Sequence, residues 1–75
     1  MIENATIGGA IEALHDGKKM TRTGWNGHHT IALQVPDANS KMTQPYVYMT
    51  TEAGAVAPWI CSQTDLLAQD WCEVE

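Results

Sequence analysis

Two short segments concentrate the recognition chemistry of this chain. The first is Arg22-Thr23-Gly24-Trp25-Asn26-Gly27, and the second runs from Pro58-Trp59 to Ser62-Gln63-Thr64-Asp65. A tryptophan on a loop is a platform for a base or a partner's side chain, and stacking on a base is worth about 1–3 kcal/mol. Asn26 offers donor and acceptor together, the pairing that reads a base edge or a ribose hydroxyl. Arg22 carries the planar fork that meets a phosphate bidentately. Ser62 to Asp65 has the S-x-x-D form of a helix start, whose free N–H groups favour an anion. Asp65 opposes a phosphate there and suits ribose hydroxyls, a purine amino group or plain capping. The candidate ligand-binding residues are therefore Arg22, Trp25, Asn26, Trp59, Ser62, Gln63, Thr64 and Asp65. Structural readings stand beside these. Trp25 could anchor a neighbouring subunit, Asn26 could simply form the turn, and Trp71 reads as core.

Catalysis is poorly served. Cys61, Ser62 and Thr64 are nucleophile types, and His15, His28 and His29 are base types, but no local spacing ties one to another. The nucleophile elbow, the phosphate-binding loop and the H-E-x-x-H helix are missing from the sequence. The histidines have no zinc-ligand spacing, and neighbouring strand residues such as His28 and His29 point to opposite faces. The expectation is a binding protein, not an enzyme, with no catalytic residue, metal or cofactor.

The elements that would hold these residues can be read from periodicity. Thr6 caps a first helix whose Ile7, Ala10, Ile11 and Leu14 form one apolar stripe, and Gly17 suits the left-handed position after it. The Gly8-Gly9 pair weakens that helix and leaves room for close approach by a strand or a neighbour. Strands are expected over 18–23, 29–35, 46–51, 55–60 and 70–74. The 24–27 segment makes a glycine-flanked turn, where burial of Trp25 in its own core is difficult. Residues 36–45 read as a long polar loop, and Pro58 marks an edge or a bulge. A short helix follows Ser62. Hairpin-length connections predict an α+β fold: a small, mainly antiparallel sheet with the N-terminal helix packed on it and a short helix before the last strand.

At 75 residues, the chain is read as one ligand-binding domain, 1–75. A domain this small needs a staple, and two cysteines without a secretory signal do not make a disulfide framework. Self-association is the remaining staple, so a homo-oligomer is expected. A net charge of −5 argues against a DNA- or RNA-binding surface, although Lys18, Lys19 and Arg22 gather into one local basic patch. No apolar run is long enough to span a membrane, and a cytoplasmic protein is expected.

These residues also carry a family resemblance. Lys18 to Gly27, following Ala13-Leu14-His15-Asp16-Gly17, joined with Pro58-Trp59-Ile60-Cys61-Ser62-Gln63-Thr64-Asp65-Leu66-Leu67-Ala68-Gln69-Asp70-Trp71, resembles the second type of Thoeris anti-defence protein, a phage and prophage family. The chain departs from the family pattern at His28-His29 and in the 36–45 loop. The resemblance implies a sponge in the host cytosol that sequesters a small cyclic nucleotide signal of the glycocyclic ADP-ribose class without degrading it. It also implies a tetramer with ligand sites between subunits, and, for some members, capture of cyclic oligonucleotides. The alternative is a phage structural or interaction module that binds a host protein through exposed tryptophans.

Overall fold

The computed structural model describes residues 1–74; Glu75, the end of the 1–75 reading, lies outside the described residues. The chain forms α1 (Ile7–His15), β1 (Lys19–Arg22), β2 (Thr30–Gln34), β3 (Tyr46–Thr50), β4 (Val56–Pro58), α2 (Gln63–Leu67) and β5 (Trp71–Val74). All neighbouring strands are antiparallel, in the order β4-β3-β2-β1-β5. The predicted α+β class and element order are the observed ones, with strand ends trimmed by a residue or two.

Local chemistry sets the helix ends. The Thr6 hydroxyl accepts from the Gly9 N–H, and α1 stops at Asp16, where Gly17 takes φ +85°. That conformation costs glycine little and L side chains more. The apolar stripe of α1 is rotated from the one expected. Ala10, Ala13 and Leu14 are buried and Ile7 is half-buried, whereas Ile11 lies at the flank, 37% exposed. The two alanines let the helix lie close over β1 and β5, and Ile11 falls outside the strip that the narrow sheet can cover.

One sheet face carries the core. Met20 pairs with Ile31 across β1–β2, Ile31 with Met49 and Leu33 with Val47 across β2–β3, and Trp71 opposes Arg22 across β1–β5. Met20, Ile31 and Trp71 are completely buried there with Leu14. Among the described residues, the opposite face, bearing Thr21, Ala32, Tyr48 and Cys72 by alternation, has no helix packed on it. Pro58 sits in edge strand β4, where its missing N–H leaves no ladder bond unmade.

The other edge is partly covered by residues not foreseen as structured. The Ala5 N–H donates to the Trp71 carbonyl at 2.9 Å, Trp71 N–H returns a bond to Ala5 at 3.1 Å, and Glu73 N–H donates to Ile2 at 2.9 Å. The N-terminal segment thus runs alongside β5. A Cβ on Gly9 would stand 3.3 Å from the Ala5 side chain, so this glycine makes room for that segment.

Candidate functional site

The site is organised around Asp65. Ser62 caps α2, its hydroxyl accepting from the Asp65 N–H at 3.1 Å. This short turn of helix aims the Asp65 side chain inward, to only 8% residue exposure. Two donors converge on its Oδ1: Arg22 Nη1 at 2.7 Å and the Trp25 indole N–H at 2.9 Å. Oδ2 stands outside both bonds. Burial alone would push the carboxyl pKa up, but the bonds from Arg22, Trp25 and Ser62 outweigh it and hold Asp65 below the usual carboxylate range.

Arg22 is shared between two acids. Its Nε donates to Asp70 Oδ1 at 2.7 Å while Nη1 is on Asp65. Both carboxylates raise the guanidinium pKa, so it is charged at every accessible pH. One cation facing two anions leaves the cluster one net negative charge. The fork that the sequence offered for phosphate is engaged within the chain, and a ligand phosphate would compete with two carboxylates for it.

The three indoles form one group. Trp25 meets Trp71 edge-on at 5.2 Å between centroids with an interplanar angle of 82°, and Trp59 meets it at 5.8 Å and 85°. Trp71 is the buried member, as read from sequence, and its indole N–H donates to the Asp65 backbone carbonyl at 3.1 Å. Trp25 and Trp59 are half-buried against it. Trp25 therefore packs into its own chain's core margin, contrary to the expectation for a glycine-flanked turn, because its N–H finds the Asp65 carboxylate. The segment is also wider than a tight hairpin turn, since β1 ends at Arg22 and β2 begins only at Thr30.

The structure thus joins Arg22, Trp25, Asp65 and, through Trp71, Trp59. Asn26, Gln63 and Thr64 are exposed around this group, as is the capping residue Ser62. A cleft of about 380 Å³ adjoins this group beside the 23–29 connection, between Arg22, Trp25, His28, His29, Thr21 and Thr30. Trp59 and Ser62 to Asp65 do not line it. In its wall the Thr21 hydroxyl donates to the His29 carbonyl at 2.6 Å, and His29 Nδ1 accepts from the Glu52 N–H at 3.3 Å. Two contributors escaped sequence reasoning: Asp70 and the His29–Glu52 contact. Neither has a local signal, because each partner is distant along the chain. Desolvation raises the thiol pKa of both Cys61 and Cys72, so neither is an activated thiolate.

A family model described as the Thoeris anti-defense 2-like domain matches residues 5–74, which include every residue of this cluster. The chain belongs to the Thoeris anti-defense 2-like family. A Bacillus phage SP01 protein named Thoeris anti-defense 2 is 30% identical over an 80-residue alignment, covering 88% of this chain and 90% of the phage protein. Membership places the chain among anti-defence proteins. Among the described residues of this Thoeris anti-defense 2-like domain, no helix is long and apolar enough to cross a membrane.

Proposed function

We propose that this protein is an anti-defence sponge that binds a cyclic nucleotide signal of the glycocyclic ADP-ribose class and holds it without breaking it. The observation that carries the reading is the buried Asp65 carboxylate, fixed by Arg22 and flanked by two half-buried tryptophans, Trp25 and Trp59. Indole faces suit a purine. The net negative cluster favours the donor-rich part of a nucleotide, its ribose hydroxyls or exocyclic amine, over its phosphates. Exposed Asn26, Ser62, Gln63 and Thr64 supply a polar rim. In this arrangement Arg22 acts chiefly by holding Asp65, and the phosphates lie away from the Asp65–Asp70 pair. A site held by so many internal bonds loses little entropy on binding, which a sponge needs.

Assembly belongs to the same proposal. Val56, Ile60 and Leu67 are at least 64% exposed, and among the described residues one sheet face has no helix packed on it, so subunit contact, in a tetramer, would bury surface the monomer leaves wet. Those same residues favour the second reading, a module that binds a host protein. Mixing the protein with glycocyclic ADP-ribose separates the readings. Free ligand should fall stoichiometrically, and heating should return it chemically intact. No depletion would favour the interaction module, and recovery of ADP-ribose would mean an enzyme.

A further inference from the structure

Asp70 belongs to neither aromatic segment, yet it accepts from three consecutive residues leading into Trp25. Its Oδ1 takes the Arg22 Nε–H at 2.7 Å. Its Oδ2 takes the Gly24 N–H at 2.8 Å, the Thr23 hydroxyl at 3.2 Å and Arg22 Nη2 at 3.4 Å. The Asp70 carbonyl also accepts from the Thr23 N–H at 3.4 Å. The fit is closest at Gly24, where a Cβ would stand 2.8 Å from Asp70 Oδ2 and 3.0 Å from Arg22 Nη2. Gly24 is not among the glycines with positive φ, so space and not backbone conformation calls for glycine there.

We propose that Asp70 is a positioning residue: its carboxylate latches the Trp25–Asn26 turn to the α2–β5 connection and, through Arg22, fixes the Asp65 carboxylate that meets the ligand. Asp70 itself touches no ligand. Only an ionised carboxylate fits the role, because it presents acceptors alone to four donors. Asparagine in its place would turn an NH2 group toward one set of donors. The latch stands on the hydrogen bonds themselves; its consequence for binding rests on the function proposed above.

Two variants break the latch from opposite sides. Asp70→Asn removes the anion, and Gly24→Ala drives a methyl group against it without removing any charge. The Trp25 indole N–H, identified by its loss in Trp25→Phe, reports the turn by NMR hydrogen exchange on the full chain. Both variants should speed its exchange by at least about tenfold, while the Trp71 indole, bonded to backbone, stays protected. Affinity for glycocyclic ADP-ribose should fall about tenfold in each, the worth of one hydrogen bond to a charged group. Unchanged Trp25 exchange in both variants overturns the latch. Faster exchange with wild-type affinity overturns the positioning role and leaves a structural bond. If the wild type binds no nucleotide, the proposed function and the ligand half of this inference fall together, and the exchange rates still decide the latch. Should Asp70→Asn fail to fold, Gly24→Ala carries the test.

Discussion

The indole N–H of Trp71 donates to the backbone carbonyl of Asp65 at 3.1 Å, so the core residue and the site residue are held by one bond. Trp71 also makes T-shaped contacts with both Trp25 and Trp59. Core and site are therefore not separable at this position. A substitution in the core reaches the recognition surface in a single step.

That coupling sets the first prediction. Trp71→Phe removes the N–H, leaves the Asp65 carbonyl with only the longer 3.4 Å bond from the Ala68 N–H, and opens a gap beneath two indoles. Stability should fall by about 2–3 kcal/mol, read as a shift in the urea midpoint. Ligand affinity should fall as well in the fraction that remains folded. Preserved affinity in the folded variant would mean that Trp25 and Trp59 keep their places without Trp71.

Arg22 is tested by removal. Its side chain and that of Asp65 are 13% and 12% exposed, so the pair is largely, though not wholly, withdrawn from water. Arg22→Ala leaves Asp65 as an uncompensated buried charge and should cost about 3–5 kcal/mol. The companion variant Arg22→Ala, Asp65→Asn removes that charge and should recover part of the loss. A loss below about 1 kcal/mol in Arg22→Ala would place the pair in the class of solvent-screened surface bridges.

Much of the fold was legible in the sequence, because it is encoded locally. Thr6 and Ser62 are caps three residues before their partners, Gly17 is a stop, and Pro58 marks an edge. Trp71 reads as core from its place between Asp70 and Cys72 in the last strand, and it is buried. What stayed hidden is long-range. The Arg22–Asp65 and Arg22–Asp70 bonds link positions 43 and 48 residues apart, and one sequence gives no sign of such partners. The N-terminal segment beside β5 was missed because Ile2 to Ala5 is too short to show alternation. Trp25 looked exposed because turn chemistry says nothing about an acceptor waiting on a distant helix. The grouping of Trp25 with Trp59 was likewise invisible until Trp71 was placed between them.

Acid should loosen the cluster. Bonds from Arg22 hold Asp70 below its ordinary pKa, helped by the Gly24 amide and Thr23, and Asp65 is lowered against the cost of its burial. A carboxylate depressed in the folded state binds its proton more readily when unfolded. Its stabilisation is therefore complete above the unfolded value of about 3.9 and drains away as pH falls through the lower folded values. The urea midpoint should be nearly flat from neutral pH to about 5 and drop steeply below about 4. Asp70→Asn should show a lower plateau and a shallower drop. An equal acid slope in wild type and variant would assign the transition to other carboxylates.

The aromatic pair gives the most direct test of the site. Trp25→Ala and Trp59→Ala should each weaken binding of glycocyclic ADP-ribose by about 1–3 kcal/mol if the indoles stack on the ligand. Trp25 carries a second role, since its N–H helps neutralise the burial of Asp65 at 2.9 Å. Trp25→Ala should therefore also lower the melting temperature, and Trp25→Phe should keep part of the stacking while losing that bond. Trp59 makes its edge contact with Trp71, and its backbone N–H donates to the Val47 carbonyl at 2.9 Å, a bond that any side chain preserves. Trp59→Ala should accordingly separate the two effects, with a larger loss of affinity than of stability. The assembly state of each variant must be measured by light scattering, because a lost subunit contact would imitate a lost ligand contact. Calorimetric titration of the assembled variants is the deciding measurement. Wild-type affinity in an assembled Trp25→Ala, Trp59→Ala double variant would place the ligand away from both indoles, and so also outside the cleft beside His28 and His29 that Trp25 lines.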